Sequence, residues 1–369
     1  MSSEFGKILR ISVFGESHGT AIGINADGLP AGEKIDIDEL QSFLGRRRGG
    51  GKYSTKRAEE DKPVFLSGLV DGKICGSPLC AVIYNGDTRS SDYAELADKP
   101  RPSHADYTAF RKWGGNADMR GGGHFSGRLT APLCIIGGIA KQLLSRRGIY
   151  VGAHLLSVAD ISDKPFPLMP DQKLFTDTAA KAFPVIDDIA ARAMQAEIEN
   201  AAAVGDSVGG TVECAVTGLP VGLGSPMFDG VENRLASVLF GIPAVKGVEF
   251  GAGFSCTTMR GSACNDAFRI DERGTVITET NNSGGIQGGI TNGMPIVFRI
   301  AVKPTPSISM TQRTVSLSRN ENTELSVVGR HDPCIAHRAV PVAEAAAAAV
   351  ILDMLLEEGA FARTDILEK

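Results

Sequence analysis

Six cations fall within thirteen residues in GRRRGGGKYSTKR, positions 45–57: Arg46, Arg47, Arg48, Lys52, Lys56 and Arg57, with no acid among them. Like charges gathered in a glycine-rich loop repel one another unless a multivalent anion joins them. A phosphate dianion suits that role, because each charge-assisted hydrogen bond to it contributes about 1.5–3 kcal/mol. A place past the carboxyl end of a helix accounts for any single cation through the macrodipole, at about 0.3–1 kcal/mol. It does not account for all six. The run lacks the G-x-x-x-x-G-K-[ST] spacing of a Walker loop.

The histidines are the next candidates. Five of the six lie in or beside polar, glycine- or arginine-rich segments: His18 in GESHG, His104 in RPSHAD, His124 in GGGHFSGR, His331 in GRHDP and His337 in AHRAV. Neighbouring arginines lower a histidine pKa and a bound phosphate raises it, so such a residue can change protonation as a ligand arrives. His154, in the apolar run VGAHLLSV, reads instead as a core or strand histidine. Neither H-E-x-x-H nor a paired Cys/His spacing is present, so no metal site is expected. The seven cysteines are odd in number and include no C-x-x-C pair, which suggests neither a disulfide framework nor a zinc knuckle.

The elements that must position these residues follow from periodicity and punctuation. ILRISVF (8–14), VFLSGLV (64–70), LCAVIY (79–84), TVECAVTG (211–218) and PIVFRIAVK (295–303) are short, rich in β-branched residues and bounded by breakers, and they predict strands. DIDELQSFLG, with an acidic cap at Asp36, APLCIIGGIAKQLLSRRG, DDIAARAMQAEIENAAAVG (187–205) and PVAEAAAAAVILDMLLEEG (341–359) predict helices. The last is apolar on nearly every side and predicts a helix buried between layers. The stretch 160–186, with its four prolines, predicts a long surface connection. Helices and strands without strict alternation indicate an α+β fold in one domain, 1–369. Glycine clusters at 49–51, 121–123, 284–285 and 288–289 mark loops where the backbone turns tightly or approaches a ligand.

Composition removes several function classes. A net charge of -5 and a pI near 5.8 argue against a general nucleic-acid binder. The amino terminus MSSEFGKILRISVFGESHG carries Glu4 and Arg10 where a secretory signal would have its apolar stretch. No run of about 18 uninterrupted apolar residues suggests a membrane span. The cytoplasm is the expected compartment.

Eight motifs in order carry a resemblance. GESHG, RRRGGGKYSTKR, RPSHADYT, RGGGHFSGRLTA, PAVKGVEFGAGF, NNSGGIQGGITNG, KPTPSI and GRHDPCIAHRAVPVAEA together resemble the chorismate synthase family, from about residue 5 to about residue 350. The resemblance implies a lyase that uses reduced FMN to eliminate phosphate and a ring proton from 5-enolpyruvylshikimate 3-phosphate. It also implies a sandwich with helices packed between two antiparallel sheets, and a homotetramer. NADPH would act as an indirect reductant, through this protein or through a separate flavin reductase. The departing hydrogen sits on an unactivated ring carbon, beyond the reach of a side chain tuned near neutrality, so the cofactor is needed for the difficult step.

By the same resemblance, His18 would donate a proton near the departing phosphate, His104 would supply a proton to the reduced flavin, and Asp332 would relay the ring proton by way of the flavin. Ser17, Arg47, Arg101, Ser126 and Arg128 would hold the substrate. Arg46, Lys52, His124, Phe125, Ser126, Pro243, Ala244, Gly288, Lys303, Pro304, Thr305, Pro306, Ser307 and Arg330 would contact the flavin, with Arg46, Arg48, Lys52 and Arg57 as second choices for the substrate anions. Many family members read G-G-R-x-S-x-R-E-T where this chain has GGGHFSGRLTA, so His124 replaces an arginine and Leu129 a glutamate, while Arg128 is kept. Two other readings rest on the cations alone: a flavin-free phosphate-binding transferase or kinase, and an RNA-binding protein with steep salt dependence.

Overall fold

The computed structural model describes residues 3–48, 60–86, 95–327 and 332–361. Lys52, Arg57, Arg330 and His331 lie outside the described residues.

Two five-stranded sheets, antiparallel throughout, form the frame. The first takes β1 (Glu4–Phe5), β2 (Arg10–Gly15), β3 (Ala21–Asp27), β4 (Val64–Ser67) and β5 (Leu79–Tyr84) in the order β1-β2-β3-β5-β4. The second takes β6 (Tyr150–Val158), β7 (Ile161–Ser162), β8 (Gly210–Thr217), β9 (Val245–Phe250) and β10 (Ile296–Val302) in the order β9-β10-β8-β6-β7. Strand β10 shows the expected alternation: Ile296, Phe298, Ile300 and Val302 are buried, while Arg299 between them is not.

Helices α1 (Ile37–Arg47), α2 (Asp106–Trp113), α3 (Thr130–Ser145), α4 (Gln172–Ala179), α5 (Asp188–Ala203), α6 (Val231–Leu239), α7 (Gly261–Cys264) and α8 (Ala336–Glu357) complete the fold. Of these, α3 packs on β3, β5 and β6, and α8 packs on β6, β8 and β10, with α1 against both helices. The helices therefore fill the space between the sheets, as the all-round apolar pattern of α8 requires. By length and composition α8 could cross a membrane, yet it is enclosed here by protein. Gly137 makes the close approach possible: a Cβ there would lie 2.3 Å from Ala345 Cα. The alanine run 345–349 is the matching surface. Each large apolar side chain fully buried in this layer, such as Ile135, Ile136 or Ile351, contributes about 1.5–3 kcal/mol.

Helix starts follow local chemistry. Asp36 caps α1 by accepting from the Glu39 amide at 2.9 Å, and Gln142 of α3 exchanges two hydrogen bonds with the Asp36 backbone, at 2.9 and 2.8 Å. Two expectations are revised. The stretch 160–186 is more than a surface connection, since Asp171 caps α4 and Phe175 of that helix is buried against Gly152. Helix α8 begins at Ala336, so Pro341 lies inside the helix and not at its head; a proline there gives up the hydrogen bond to the carbonyl four residues earlier and crowds it.

Candidate active site

The turn between β2 and β3 carries Ser17 and His18, both buried. Their backbone is tied to the glycine turn of residues 121–123, because the Ser17 amide donates to the Gly123 carbonyl at 3.1 Å. All three glycines have positive φ, a backbone that side chains disfavour. The contacts explain why no side chain is present. A Cβ on Gly121 would fall 1.9 Å from His18 Nδ1 and 3.0 Å from Ser17 Oγ, and one on Gly122 would fall 3.3 Å from His104 Nε2. One bare turn thus lies against both histidines.

His104 belongs to a second group. Asp106 accepts from Arg101 Nε at 2.8 Å, from Arg101 Nη2 at 2.8 Å and from the Arg101 amide at 2.9 Å. His104 Nδ1 stands 2.6 Å from Asp106 Oδ1 and 3.0 Å from Arg101 Nη2. Burial alone would raise the Asp106 pKa, but hydrogen bonds from Arg101 and His104 hold it well below the ordinary carboxylate range. Arg101 Nη1 donates to Ser307 Oγ at 3.2 Å, and Lys303 donates to the Ser103 carbonyl. The Lys303 amide in turn donates to the Ala244 carbonyl at 3.0 Å. The structure therefore brings the Pro243–Ala244 turn and the 303–307 loop to the segment that carries His104.

The third group is a chain of buried charges. Asp61, 1 % exposed, accepts from Arg47 on one oxygen and from Arg128 on the other. Burial would raise its pKa, and the two guanidinium groups outweigh that and lower it. Arg338 donates to the Arg47 carbonyl at 3.0 Å and to the Asp332 carboxylate. Among the described residues, three guanidinium groups face two carboxylates in this chain, a balance that suits an anion. Asn85 joins this chain to the first group: its Oδ1 accepts from Arg128 Nε at 3.2 Å, while its Nδ2 donates to the carbonyls of Glu16 at 3.2 Å and Gly19 at 2.8 Å. Ser126 accepts from the Arg128 amide at 3.2 Å and lies beside Gly122.

Other expected residues have different surroundings. Arg46 makes a two-pronged pair with Glu344 at 2.9 and 2.6 Å, and Lys141 also donates to Glu344. Burial opposes ionisation of Glu344, yet Arg46 and Lys141 bring its pKa down to about 2. Arg46 is thus held by the interior helices. His124 uses both ring nitrogens on its own chain, Nδ1 on the Gly15 carbonyl and Nε2 on the Ser3 hydroxyl, each at 2.8 Å. Phe125 packs on Trp113 with ring centroids 5.6 Å apart. Gly288 lies in a hairpin turn whose next residue, Gly289, approaches Ser225 and Gly230. Leu129, in the place of a glutamate, is buried in the apolar core. His337 is in α8, not a loop, stacked on Phe183, and burial together with Arg338 pushes its pKa down to about 4.

Sequence reasoning missed Asp61, Asn85 and Asp106 as parts of the site. Asp106 had a local signal, two residues after His104 in RPSHAD. Asp61 and Asn85 had none, since only the fold brings them to Arg128. Several buried polar atoms find no hydrogen-bond partner among the described residues: Ser17 Oγ, Arg47 Nε and Thr305 Oγ1. An unmet buried donor costs about 1–3 kcal/mol unless water or a ligand completes it. Together with the excess positive charge and the bare glycine turn, this is a site that fits phosphorylated, anionic ligands.

Residues 9–356 match the family model described as chorismate synthase. The chain is 48% identical over 357 residues to a chorismate synthase of Thermococcus gammatolerans, covering 96% of this chain and 98% of that one. A chorismate synthase of Dehalococcoides mccartyi is 46% identical, with 98% and 99% covered. A crystal structure of a chorismate synthase superposes with a TM-score of 0.76 at 28% identity, covering 96% of this chain and 93% of that one.

Proposed function

The chain belongs to the chorismate synthase family, carbon–oxygen lyases of the shikimate pathway acting on a small-molecule substrate, and we propose that it works with reduced FMN on 5-enolpyruvylshikimate 3-phosphate. It would do so as a single domain in a cytoplasmic homotetramer, with NADPH as the ultimate reductant. The observation that carries the reading is the glycine turn shared by His18 and His104, set beside the Arg47–Asp61–Arg128 chain.

Within this reading Arg47 and Arg128, with Ser17, Ser126 and Arg101, bind the substrate phosphate and carboxylates. His18 gives its proton to the departing phosphate, a contribution of about 10²–10⁴-fold for a positioned general acid. Asp332, beside Arg338, accepts the ring proton. Thr305, Ser307, Lys303, Pro304 and Pro306 from one loop, with Pro243 and Ala244, would hold the flavin, next to His104. When bound, the reduced flavin lends electron density that helps the phosphate leave and recovers it as the hydrogen departs. The low-dielectric surroundings of the buried arginines strengthen each contact to the developing phosphate charge.

Addition of FMN, followed by its visible spectrum on anaerobic reduction, tests the reading. A bound flavin whose spectrum changes again on adding the phosphorylated substrate, with release of phosphate, is the expected outcome. Phosphate release that needs no flavin, or no flavin binding at all, favours the transferase reading instead.

A further inference from the structure

His104 Nδ1 stands at a fork. On one side Asp106 Oδ1, an acceptor, is 2.6 Å away; on the other Arg101 Nη2, a donor, is 3.0 Å away. The two contacts demand opposite tautomers. If Arg101 is the partner, Nδ1 is bare and the ring proton is on Nε2; if Asp106 is the partner, Nδ1 carries the proton. Both contacts involve an ionised partner, and the one to the carboxylate is the shorter. Arg101 loses little by yielding, because its Nε and Nη2 already donate to Asp106 and its Nη1 to Ser307.

We infer that Asp106 is a positioning residue for this reaction, which fixes His104 with its proton on Nδ1 and thereby turns Nε2 toward the glycine turn as the nitrogen that exchanges a proton with a bound ligand. The inference rests on the proposed elimination for its kinetic consequence, though not for the tautomer itself. Nε2 faces the Gly122 backbone, where a Cβ would fall 3.3 Å from it, and the His104 side chain keeps 14 % of its surface exposed. Of the charged groups facing His104, Asp106 and Arg101 come from its own segment, and Lys303 comes from the 303–307 loop, where it donates to the Ser103 carbonyl. Gly122 and Ser126, from the turn packed on the other side, are uncharged. Asp106 is therefore the single negative charge among these neighbours within the described residues.

Two measurements test this on the full-length protein. The first records the ring ¹⁵N shifts of His104 in the wild type, assigned by loss of the signal in His104→Gln. A protonated Nδ1 is expected; a bare Nδ1 with the proton on Nε2 overturns the inference. The second compares the pH dependence of kcat for wild type, Asp106→Asn and Asp106→Glu with chemically reduced FMN under anaerobic conditions. Loss of the carboxylate should displace the pH profile and lower kcat near neutrality about tenfold. Asp106→Glu should restore most of both. An unchanged profile in Asp106→Asn, or equal damage in both variants, would reduce Asp106 to a structural role. Should the wild type fail to release phosphate with reduced FMN, the functional reading falls, while the ¹⁵N measurement still decides the tautomer.

Discussion

Two histidines in this chain are each clasped by carboxylates, and they are put to opposite uses. His154, in the middle of β6, is fully buried and bonds through both nitrogens, Nδ1 to Asp163 at 3.1 Å and Nε2 to Glu213 at 3.0 Å. Both carboxylates are fixed in turn: Asp163 accepts from the Asp187 amide at 2.9 Å, and Glu213 from Arg299 Nε at 3.0 Å. With two acceptors and no free nitrogen, the ring is a cationic pin that fastens the 160–187 segment to the second sheet. His104 has one carboxylate, one guanidinium, and a second nitrogen facing a bare glycine turn. A histidine that meets carboxylates on both nitrogens is structural; one whose second nitrogen faces a bare glycine turn is available for chemistry.

The largest effect that could break this contrast belongs to His154. His154→Gln leaves two buried carboxylates without their shared cation, and should cost about 3–5 kcal/mol of stability in urea unfolding while turnover per folded molecule stays near normal. Lost turnover with unchanged stability would overturn the structural reading. The pH dependence sharpens it. Burial opposes the charged ring, but Asp163 and Glu213 raise the His154 pKa above its ordinary 6.5. Its contribution is therefore complete below that ordinary value and fades as pH rises through the folded one. Asp61 and Asp106 are lowered, so their contributions are present above the ordinary carboxylate pKa and fade as pH falls through the folded values. The variant should thus lose the alkaline fall in stability and keep the acid one.

Next in size is Gly121→Ala. The added Cβ would collide with the His18 ring at a position of φ +61°, and a displacement of about 1 Å at a catalytic group costs on the order of 10² in rate. Activity should fall by at least that factor, and the positive φ should lower stability by about 1 kcal/mol or more, with the fold retained. Retained activity would separate His18 from the glycine turn and remove it from the chemistry. The smallest expected effect is that of Asn85→Ala, which unties Arg128 from the turn bearing Ser17 and His18. A lost net hydrogen bond of about 1 kcal/mol corresponds to roughly a fivefold rise in KM, read by steady-state kinetics, with kcat affected less. A change in kcat alone would mean that Asn85 serves His18 and not the anion site.

The sequence showed the apolar skeleton and the residue types of the site, but not how they are joined. The short β-branched runs became strands β2, β4, β5, β8 and β10, and the all-round apolar pattern of α8 became the central buried helix. Helix α4 was hidden because prolines at 165, 167 and 170 read as loop, although Asp171 and Phe175 begin a capped, half-buried turn just after them. In the site, the motifs named the histidines and arginines, because catalytic types cluster in glycine-rich loops. They could not reveal that Arg46 turns inward to Glu344, since that partner lies 298 residues away. Asp61 and Asn85 were silent for the same reason: a single acid or amide has no periodicity and acquires meaning only from what the fold brings beside it.

The most direct test of the central claim is a crystal structure of the protein with FMN and 5-enolpyruvylshikimate 3-phosphate bound together. The account predicts the substrate phosphate within hydrogen-bonding distance of His18, Arg47 and Arg128, and the flavin ring between the substrate and the Nε2 side of His104. Ligands seated elsewhere, with Gly121 and Gly122 covered only by water, would contradict it.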